Sequence, residues 1–223
     1  MDVTILDNWS QFNGDTQLRR AVKKTNKELN RTDCTILDYQ REYLDKALSF
    51  CKNFRVAIDG GAHYGVMSYN LNKKFKSVHS FEVYEPVRNC LKENVEKFQM
   101  NNVIVYDFGL GESSRSIDLD ISRGTFGTHV DPTKDSGDIP IKPLDELNLT
   151  DVDFIKLDCE GYEPFIIQGA EKTIKTYSPV ILMERKGHTE RWGLDKYEPV
   201  KILEKWGYQE MVSYRKDCIM IRK

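Results

Sequence analysis

Val56-Ala57-Ile58-Asp59-Gly60-Gly61-Ala62-His63-Tyr64-Gly65 is the stretch that decides the fold class. Three apolar residues and an acid read as a buried strand, and two consecutive glycines then break it. The chain opens directly into a helix beyond them. That arrangement turns backbone N–H groups outward at the C-terminal edge of a sheet, where open α/β folds bind small molecules. A second apolar run, Ser77–Phe81, ends in Glu82. An acid about twenty residues after the glycine turn is placed to bind the two hydroxyls of a ribose. The two features together predict a nucleoside-containing cofactor.

The glycine spacing narrows that cofactor. A dinucleotide fingerprint needs G-x-G-x-x-G so that the backbone can approach a pyrophosphate. Here Gly60 is followed two residues later by Ala62, and counting from Gly61 the same slot is His63. Asp59 is also a poor neighbour for a diphosphate. S-adenosyl-L-methionine, with an ammonium, a carboxylate, a sulfonium and a ribose, matches the groups offered.

Composition sets the outer bounds. The 223 residues suffice for one large domain, 39% hydrophobic and 30% charged content describes a soluble globular chain, and the net charge is −2. That balance argues against binding nucleic acid by bulk electrostatics. Arg19, Arg20, Lys23, Lys24 and Lys27 form a local basic face at helical spacing, read as a solvated helix face or a docking surface for an anion or a membrane. Five scattered cysteines without a C-x-x-C pair read as reduced thiols in the cytoplasm. No run approaches the roughly 18 apolar residues that span a bilayer, and the N-terminus lacks the pattern of a signal peptide.

From Val56 onward strand alternates with helix, the pattern of a doubly wound, mostly parallel α/β sheet. The expected strands are Arg55–Asp59, Ser77–Glu82, Val103–Asp107, Phe154–Asp158 and Val180–Glu184. Helices are expected over Tyr64–Leu71, Val87–Phe98, Pro164–Thr176 and Lys196–Trp206. Two short strands, Tyr208–Tyr214 and Cys218–Arg222, should then close the chain as an antiparallel hairpin that adds to the sheet. Residues 1–52 read as a helical extension, with Tyr39–Cys51 packing on the sheet, and 53–223 as the cofactor-binding domain. The irregular stretch 113–143 is expected to hold a short hairpin, Ser116–Ile121 among its strands, and to overhang the active site.

Phe154-Ile155-Lys156-Leu157-Asp158-Cys159-Glu160-Gly161-Tyr162-Glu163, taken with the glycine turn, Ser80-Phe81-Glu82 and Pro143-Leu144-Asp145-Glu146-Leu147, resembles the FkbM family of S-adenosylmethionine-dependent methyltransferases. Gly109-Leu110-Gly111, Gly169-Ala170 and Pro179-Val180-Ile181-Leu182-Met183-Glu184 add to the likeness, which covers about Arg55 to Glu184. The family's turn usually has Asn where this chain has His63, and its Phe-Glu-Pro reads Phe81-Glu82-Val83, with Glu85-Pro86 just beyond. The resemblance implies a class I methyltransferase Rossmann-like fold, whose antiparallel C-terminal strand matches the terminal hairpin. It further implies methylation of a hydroxyl on a sugar, glycan or other small-molecule acceptor. Ribose 2′-O- or N-methylation of RNA on the same fold, and a non-catalytic cofactor-binding module, are the alternatives.

Each site residue has a role to test. Asp59, Gly61, Ala62 and His63 form the cofactor turn, although Asp59 also fits a helix-capping acid. Glu82 rather than Glu85 is expected on the ribose, because it ends the strand. Asp107 and Phe108 end the third strand, where this fold places the adenine. Asp158 and Glu160 point the same way if the strand persists, and paired carboxylates push one pKa upward. Asp158 is then the partner of the cofactor's ammonium or of the acceptor, and Glu160 the substrate-facing base. Glu163, before Pro164, reads as a helix-cap acid. Lys156, Asp158 and Glu184 resemble the lysine-and-acid sets of ribose 2′-O-methyltransferases. His188 is a candidate base or a loop histidine, and His129 is a candidate to reach in from the long loop. His129, Asp131, Asp158 and His188 lack metal-ligand spacing, so no metal is expected.

Overall fold

The computed structural model describes Trp9, residues 17–134 and residues 136–223, with residues 17–19 and 126 described in backbone only. The expected helical content of residues 1–8 and 10–16 lies outside the described residues. Helix α1, Gln17–Leu29, buries Ala21, Val22 and Thr25 and exposes Arg20, Lys23, Lys24 and Lys27. After a 3₁₀ turn at Ile36–Asp38, closed by a capping box between Thr35 and Asp38, comes α2, Arg41–Leu48. Leu44, Ala47 and Leu48 of α2 pack on the sheet through Ala57, Phe154 and Leu182, as the apolar spacing of that segment predicts.

The sheet follows. Strands β1 (Val56–Gly60), β2 (Ser77–Phe81) and β3 (Val103–Tyr106) alternate with helices α3 (Val66–Asn72) and α4 (Glu85–Lys97). Four short strands come next: β4 (Gly109–Leu110), β5 (Arg115–Ile117), β6 (Leu119–Asp120) and β7 (His129–Val130). Strand β8 (Ile139–Lys142) then leads to β9 (Val152–Leu157), followed by α5 (Glu163–Gln168), α6 (Glu171–Tyr177) and β10 (Val180–Glu184). Helix α7 (Glu198–Lys205) and the hairpin β11 (Tyr208–Ser213) and β12 (Asp217–Arg222) end the chain.

Seven strands form one sheet in the order β11-β12-β10-β9-β1-β2-β3. Within it β1 to β3, β9 and β10 pair in parallel, while β12 pairs antiparallel with both β10 and β11. The fold is a doubly wound α/β sheet of the class I methyltransferase type. Its strand order reverses at β1, between β2 and β9, and open α/β sheets hold their ligands in the crevice beyond such a point. No helix among the described residues is long and apolar enough to cross a membrane.

Two local features depart from the expected pattern. The single helix predicted over Pro164–Thr176 is two helices. A side chain at Gly169 would put its Cβ 1.9 Å from the carbonyl oxygen of Gly111, and the Gly169 carbonyl accepts from the Asp145 N–H at 3.0 Å. The Asp145 carboxylate then accepts from the Lys172 and Thr173 N–H groups, both at 2.8 Å, and so caps α6. Stretch 113–143 divides its strands between two small sheets, β4-β8-β5 and β6-β7, so Ser116 pairs with Pro140 and Leu119 with Val130.

Candidate functional site

A cavity of about 270 Å³ opens at the C-terminal ends of β1, β2 and β9. Its floor is the glycine turn. Gly61 has φ +71, and a Cβ there would lie 2.0 Å from the Asp158 carbonyl oxygen, so only glycine lets the two loops meet. His63 at φ +51 and Gly65 at φ +88 complete the reversal into α3.

The turn's amides do not face outward as the sequence suggests. The N–H groups of Gly61 and Ala62 donate to the Phe81 carbonyl at 3.0 and 2.9 Å, and the His63 N–H donates to Glu82 Oε2 at 2.9 Å. Adjacent parallel strands end together here, so β2 absorbs the amides of β1's turn. What the turn offers the cavity is a close-packed wall.

Asp59 does not line the cavity. It is fully buried, accepts from Ser68 Oγ at 2.6 Å and lies 3.2 Å from the Lys156 ammonium. It caps no helix amide, since its helix partner is the side chain of Ser68. Lys156 spends its other donors on the carbonyls of Gly60 and Gly61, at 3.1 and 2.7 Å. Burial by itself lowers the pKa of this ammonium, but the carboxylates of Asp59 and Asp158 outweigh it and the net direction is upward. Lys156 also reaches the cavity wall, with two of its donors on the turn.

Glu82 stands at the cavity's other side. Its buried carboxylate accepts one N–H on each oxygen, from His63 and from Tyr84, both at 2.9 Å. Burial raises its pKa, against the pull of those two N–H groups. Each oxygen keeps a lone pair, so the carboxylate can still accept two hydroxyls. Glu85, by contrast, is exposed at the start of α4. Val83, Leu110 and Ile141 add an apolar shelf beside Glu82. Asp107 is exposed and Phe108 packs with Phe81 and Tyr106, and neither lines the cavity. The structure therefore does not bring Asp107 and Phe108 to the cavity, where the adenine was expected to meet them.

The far end is acidic. Strand β9 stops at Leu157 and Glu160 adopts φ +52, so the strand alternation expected for Asp158 and Glu160 does not hold. The turn brings both to the cavity all the same. Asp158 donates its N–H to the Gly60 carbonyl at 3.1 Å, and its carboxylate makes no hydrogen bond to a described residue. The Glu160 carbonyl accepts from Arg191 at 2.7 Å, and its Oε2 lies 2.7 Å from His188 Nδ1. Glu184, buried at the end of β10, is ion-paired to Lys186 and 3.8 Å from His188 Nδ1. Glu160 and Lys186 line the cavity, while Glu184 and His188 stand behind them.

Glu163 holds this turn together. Its Oε1 accepts from the Cys159 and Gly161 N–H groups at 2.8 and 3.3 Å, and burial pushes its pKa up to about 7. The cavity-lining thiol of Cys159 is pushed well up by burial and by the charge of Glu163. Among the described residues, one His/acid group has metal-ligand spacing: Glu160, Glu184 and His188. The set with His129, Asp131 and Asp158 does not form. His129 lines the cavity from β7 with Nδ1 2.8 Å from the Gly127 carbonyl, whereas Asp131 turns back to Thr133.

Sequence reasoning missed Lys186, and it missed the wall formed by Ile36, Tyr39 and Gln40. Burial and the nearby carboxylate of Asp158 raise the pKa of the Tyr39 hydroxyl. Trp9 was also missed. It is buried, stacks on Phe98 at 4.7 Å and donates to the Tyr64 carbonyl of the cofactor turn at 3.0 Å.

Comparisons place this geometry among known proteins. The methyltransferase FkbM domain matches residues 59–210. A Methylobacillus flagellatus FkbM methyltransferase structure is similar at TM-score 0.51 and 15% identity, over 92% of this chain and 59% of that one. The chain thus spans under two thirds of that relative's length. An Aquifex aeolicus SAM-dependent methyltransferase aligns at TM-score 0.52 and 15% identity, over 93% and 98% of the two chains. A Streptococcus mutans protein solved in complex with SAH aligns at TM-score 0.54 and 13% identity, over 82% and 97%. No curated protein matches the sequence.

Proposed function

The chain belongs to the FkbM family of methyltransferases, and on that premise we propose that its cavity binds S-adenosyl-L-methionine and directs the methyl group to an oxygen of a sugar or other small metabolite. The observation that carries the reading is the division of the cavity. A buried carboxylate with two spare lone pairs, Glu82, stands at one end, and the open carboxylate of Asp158 with Glu160 and Lys186 stands at the other.

The residues fit the cofactor. Glu82 would accept the two ribose hydroxyls, and Val83, Leu110 and Ile141 would cover the adenine. Asp158 would hold the ammonium of the methionine end. Bound there, the cofactor supplies an electrophilic methyl on a sulfonium, so this chain's residues need only position the acceptor and take a proton. Glu160 is the proton acceptor. A hydroxyl is far less acidic than a carboxylic acid, so the proton moves to Glu160 late, as the C–O bond forms. Tyr39, Gln40 and His129 also line the cavity and would border the acceptor. The net charge of −2 offers no bulk attraction to RNA.

Calorimetry with S-adenosylhomocysteine and with NAD, together with radiolabelled methyl transfer to a panel of sugars, nucleosides and peptides, tests the reading. Binding of S-adenosylhomocysteine but not NAD, with label on a sugar or small-molecule hydroxyl, is the expected result. Absence of S-adenosylhomocysteine binding refutes the cofactor assignment, and label appearing on a nucleoside or on nitrogen refutes the acceptor class.

A further inference from the structure

Behind the acceptor end, three side chains from separate segments are set out as ligands for an ion. Glu184 ends β10, His188 opens the 3₁₀ turn His188–Trp192, and Glu160 belongs to the turn after β9. One ligand atom from each lies within 4.8 Å of the others. Neither oxygen of Glu184, whose side chain is 2% exposed, accepts a hydrogen bond from a described residue. His188 Nδ1 is buried 2.7 Å from Glu160 Oε2 and 3.8 Å from Glu184 Oε2, yet it too makes no hydrogen bond to a described residue. Buried polar atoms normally find a hydrogen-bond partner. Atoms that crowd together without bonding one another are arranged instead as ligands of a shared cation. Sequence spacing hid the set, because Glu160 and Glu184 are 24 positions apart and meet only through the pairing of β9 with β10.

The backbone holds these ligands in place. Gly161 has φ +102, and a Cβ there would lie 2.5 Å from the His188 carbonyl carbon, so a glycine lets the turn bearing Glu160 close against His188. Arg191 then fixes the Glu160 carbonyl at 2.7 Å. Charge also favours a cation. Asp217 on β12 pairs in register with Glu184, which puts a third acid on that face of the sheet. Lys186 stands against them, ion-paired to Glu184 and 3.8 Å from Glu160 Oε1. A single ammonium leaves the group with surplus negative charge, since Lys156 is engaged with the glycine turn. The Lys186 side chain is 27% exposed and lines the cavity, so it has room to swing aside.

We propose that Glu160, Glu184 and His188 bind one divalent transition-metal ion, which takes the place of the Lys186 ammonium. Two carboxylates and an imidazole suit Zn²⁺ or Mn²⁺ better than Mg²⁺ or Ca²⁺, which favour oxygen ligands alone. Three protein ligands leave a coordination position open. The site stands on its own geometry and needs no cofactor assignment. On the methyl-transfer reading the ion would fix Glu160 at the cavity wall, and coordination through one oxygen leaves its other oxygen for the proton.

Calorimetry of Zn²⁺ into the full chain, stripped with chelator and returned to buffer, and paramagnetic resonance with Mn²⁺ test the proposal. One ion per chain is the expected result. Glu184→Gln and His188→Ala should each weaken binding by at least about 10-fold, the loss that follows removal of even a ligand's hydrogen-bond partner. The second variant changes a side chain that is 28% exposed, which keeps the test clear of misfolding. Lys186→Met, lacking the competing ammonium, should bind more tightly than wild type. Failure of wild type to bind either ion overturns the proposal and leaves Lys186 as the cluster's cation. Equal binding by wild type and both ligand variants overturns it as well, because the ion would then sit elsewhere, and so does Lys186→Met binding no tighter than wild type. Calorimetry with S-adenosylhomocysteine on the metal-free chain reports separately on the cofactor reading.

Discussion

Replacing Gly61 by alanine separates two costs that glycine normally carries together. Gly61 and Gly193 share nearly the same backbone, φ +71 and φ +68, but their surroundings differ completely. A Cβ on Gly193 meets nothing within 4 Å, while one on Gly61 lies 2.0 Å from the Asp158 carbonyl oxygen. Gly193→Ala should therefore show the left-handed strain alone, about 1–2 kcal/mol. Gly61→Ala adds overpacking of about 1–3 kcal/mol. That contact is with backbone which the Asp158 N–H to Gly60 carbonyl bond holds in place. At roughly 2–4 °C per kcal/mol for a chain of this size, Gly193→Ala should melt about 2–8 °C lower and Gly61→Ala a further 2–12 °C lower. Differential scanning calorimetry gives the shifts, and titration with S-adenosylhomocysteine should show weakened binding in Gly61→Ala alone. Equal melting shifts with unchanged affinity in both variants would refute the claim that the glycine turn is set by the approach of β9's loop.

Other perturbations address the ends of the cavity. Glu82→Gln removes a charged acceptor for two hydroxyls and should weaken S-adenosylhomocysteine binding about 10- to 100-fold by calorimetry, since hydrogen bonds to charged groups contribute about 1.5–3 kcal/mol; undiminished affinity would place the ribose elsewhere. Glu163, with its pKa pushed up to about 7 from 4.5, contributes stability that is full below pH 4.5 and lost as pH rises through 7. Glu163→Gln should flatten that fall, gaining about 3 kcal/mol relative to wild type at pH 8, and denaturant titrations at pH 5 and 8 that run parallel for the two proteins would contradict it. Trp9→Phe keeps the stack on Phe98 but loses the hydrogen bond to the Tyr64 carbonyl, which Asn94 still engages at 2.9 Å. It should cost about 0.5–1.5 kcal/mol and weaken S-adenosylhomocysteine a few-fold, whereas a stability loss with unchanged affinity would confine Trp9 to packing.

Local chemistry made the fold legible. Buried parallel strands are rich in apolar residues, and β1, β2, β9 and β10 are short, largely apolar runs with an acid at or just past the end. The terminal hairpin was equally plain from Trp206-Gly207 and the two short runs after it. Contacts between distant segments were not readable. The break at Gly169 comes from the Gly111 carbonyl, 58 positions away in the sequence. At the site, Glu82 announced itself by ending a strand, while Asp59 did the same yet faces inward, because its strand neighbour in register is Lys156. A single sequence reports that a residue ends a strand and leaves open which side of the sheet's edge its head group takes. Lys186 gave a weaker signal still, a cation two residues past a strand end, whose meaning depends on Glu184 and Glu160 lying beside it.

Two lysines line the cavity in different settings. Lys156 and Asp59 face each other on adjacent strands beneath the turn, and a buried pair of this kind holds specificity of arrangement more than net stability. Lys156 donates to two carbonyls of the turn and is ion-paired to Asp59. Lys186 reaches the cavity on a partly exposed side chain, 27% accessible, and its partners are the carboxylates nearest the acceptor end. The lysine of strand β9 is therefore tied to the glycine turn and to Asp59, whereas the lysine after β10 stands beside Glu184 and Glu160.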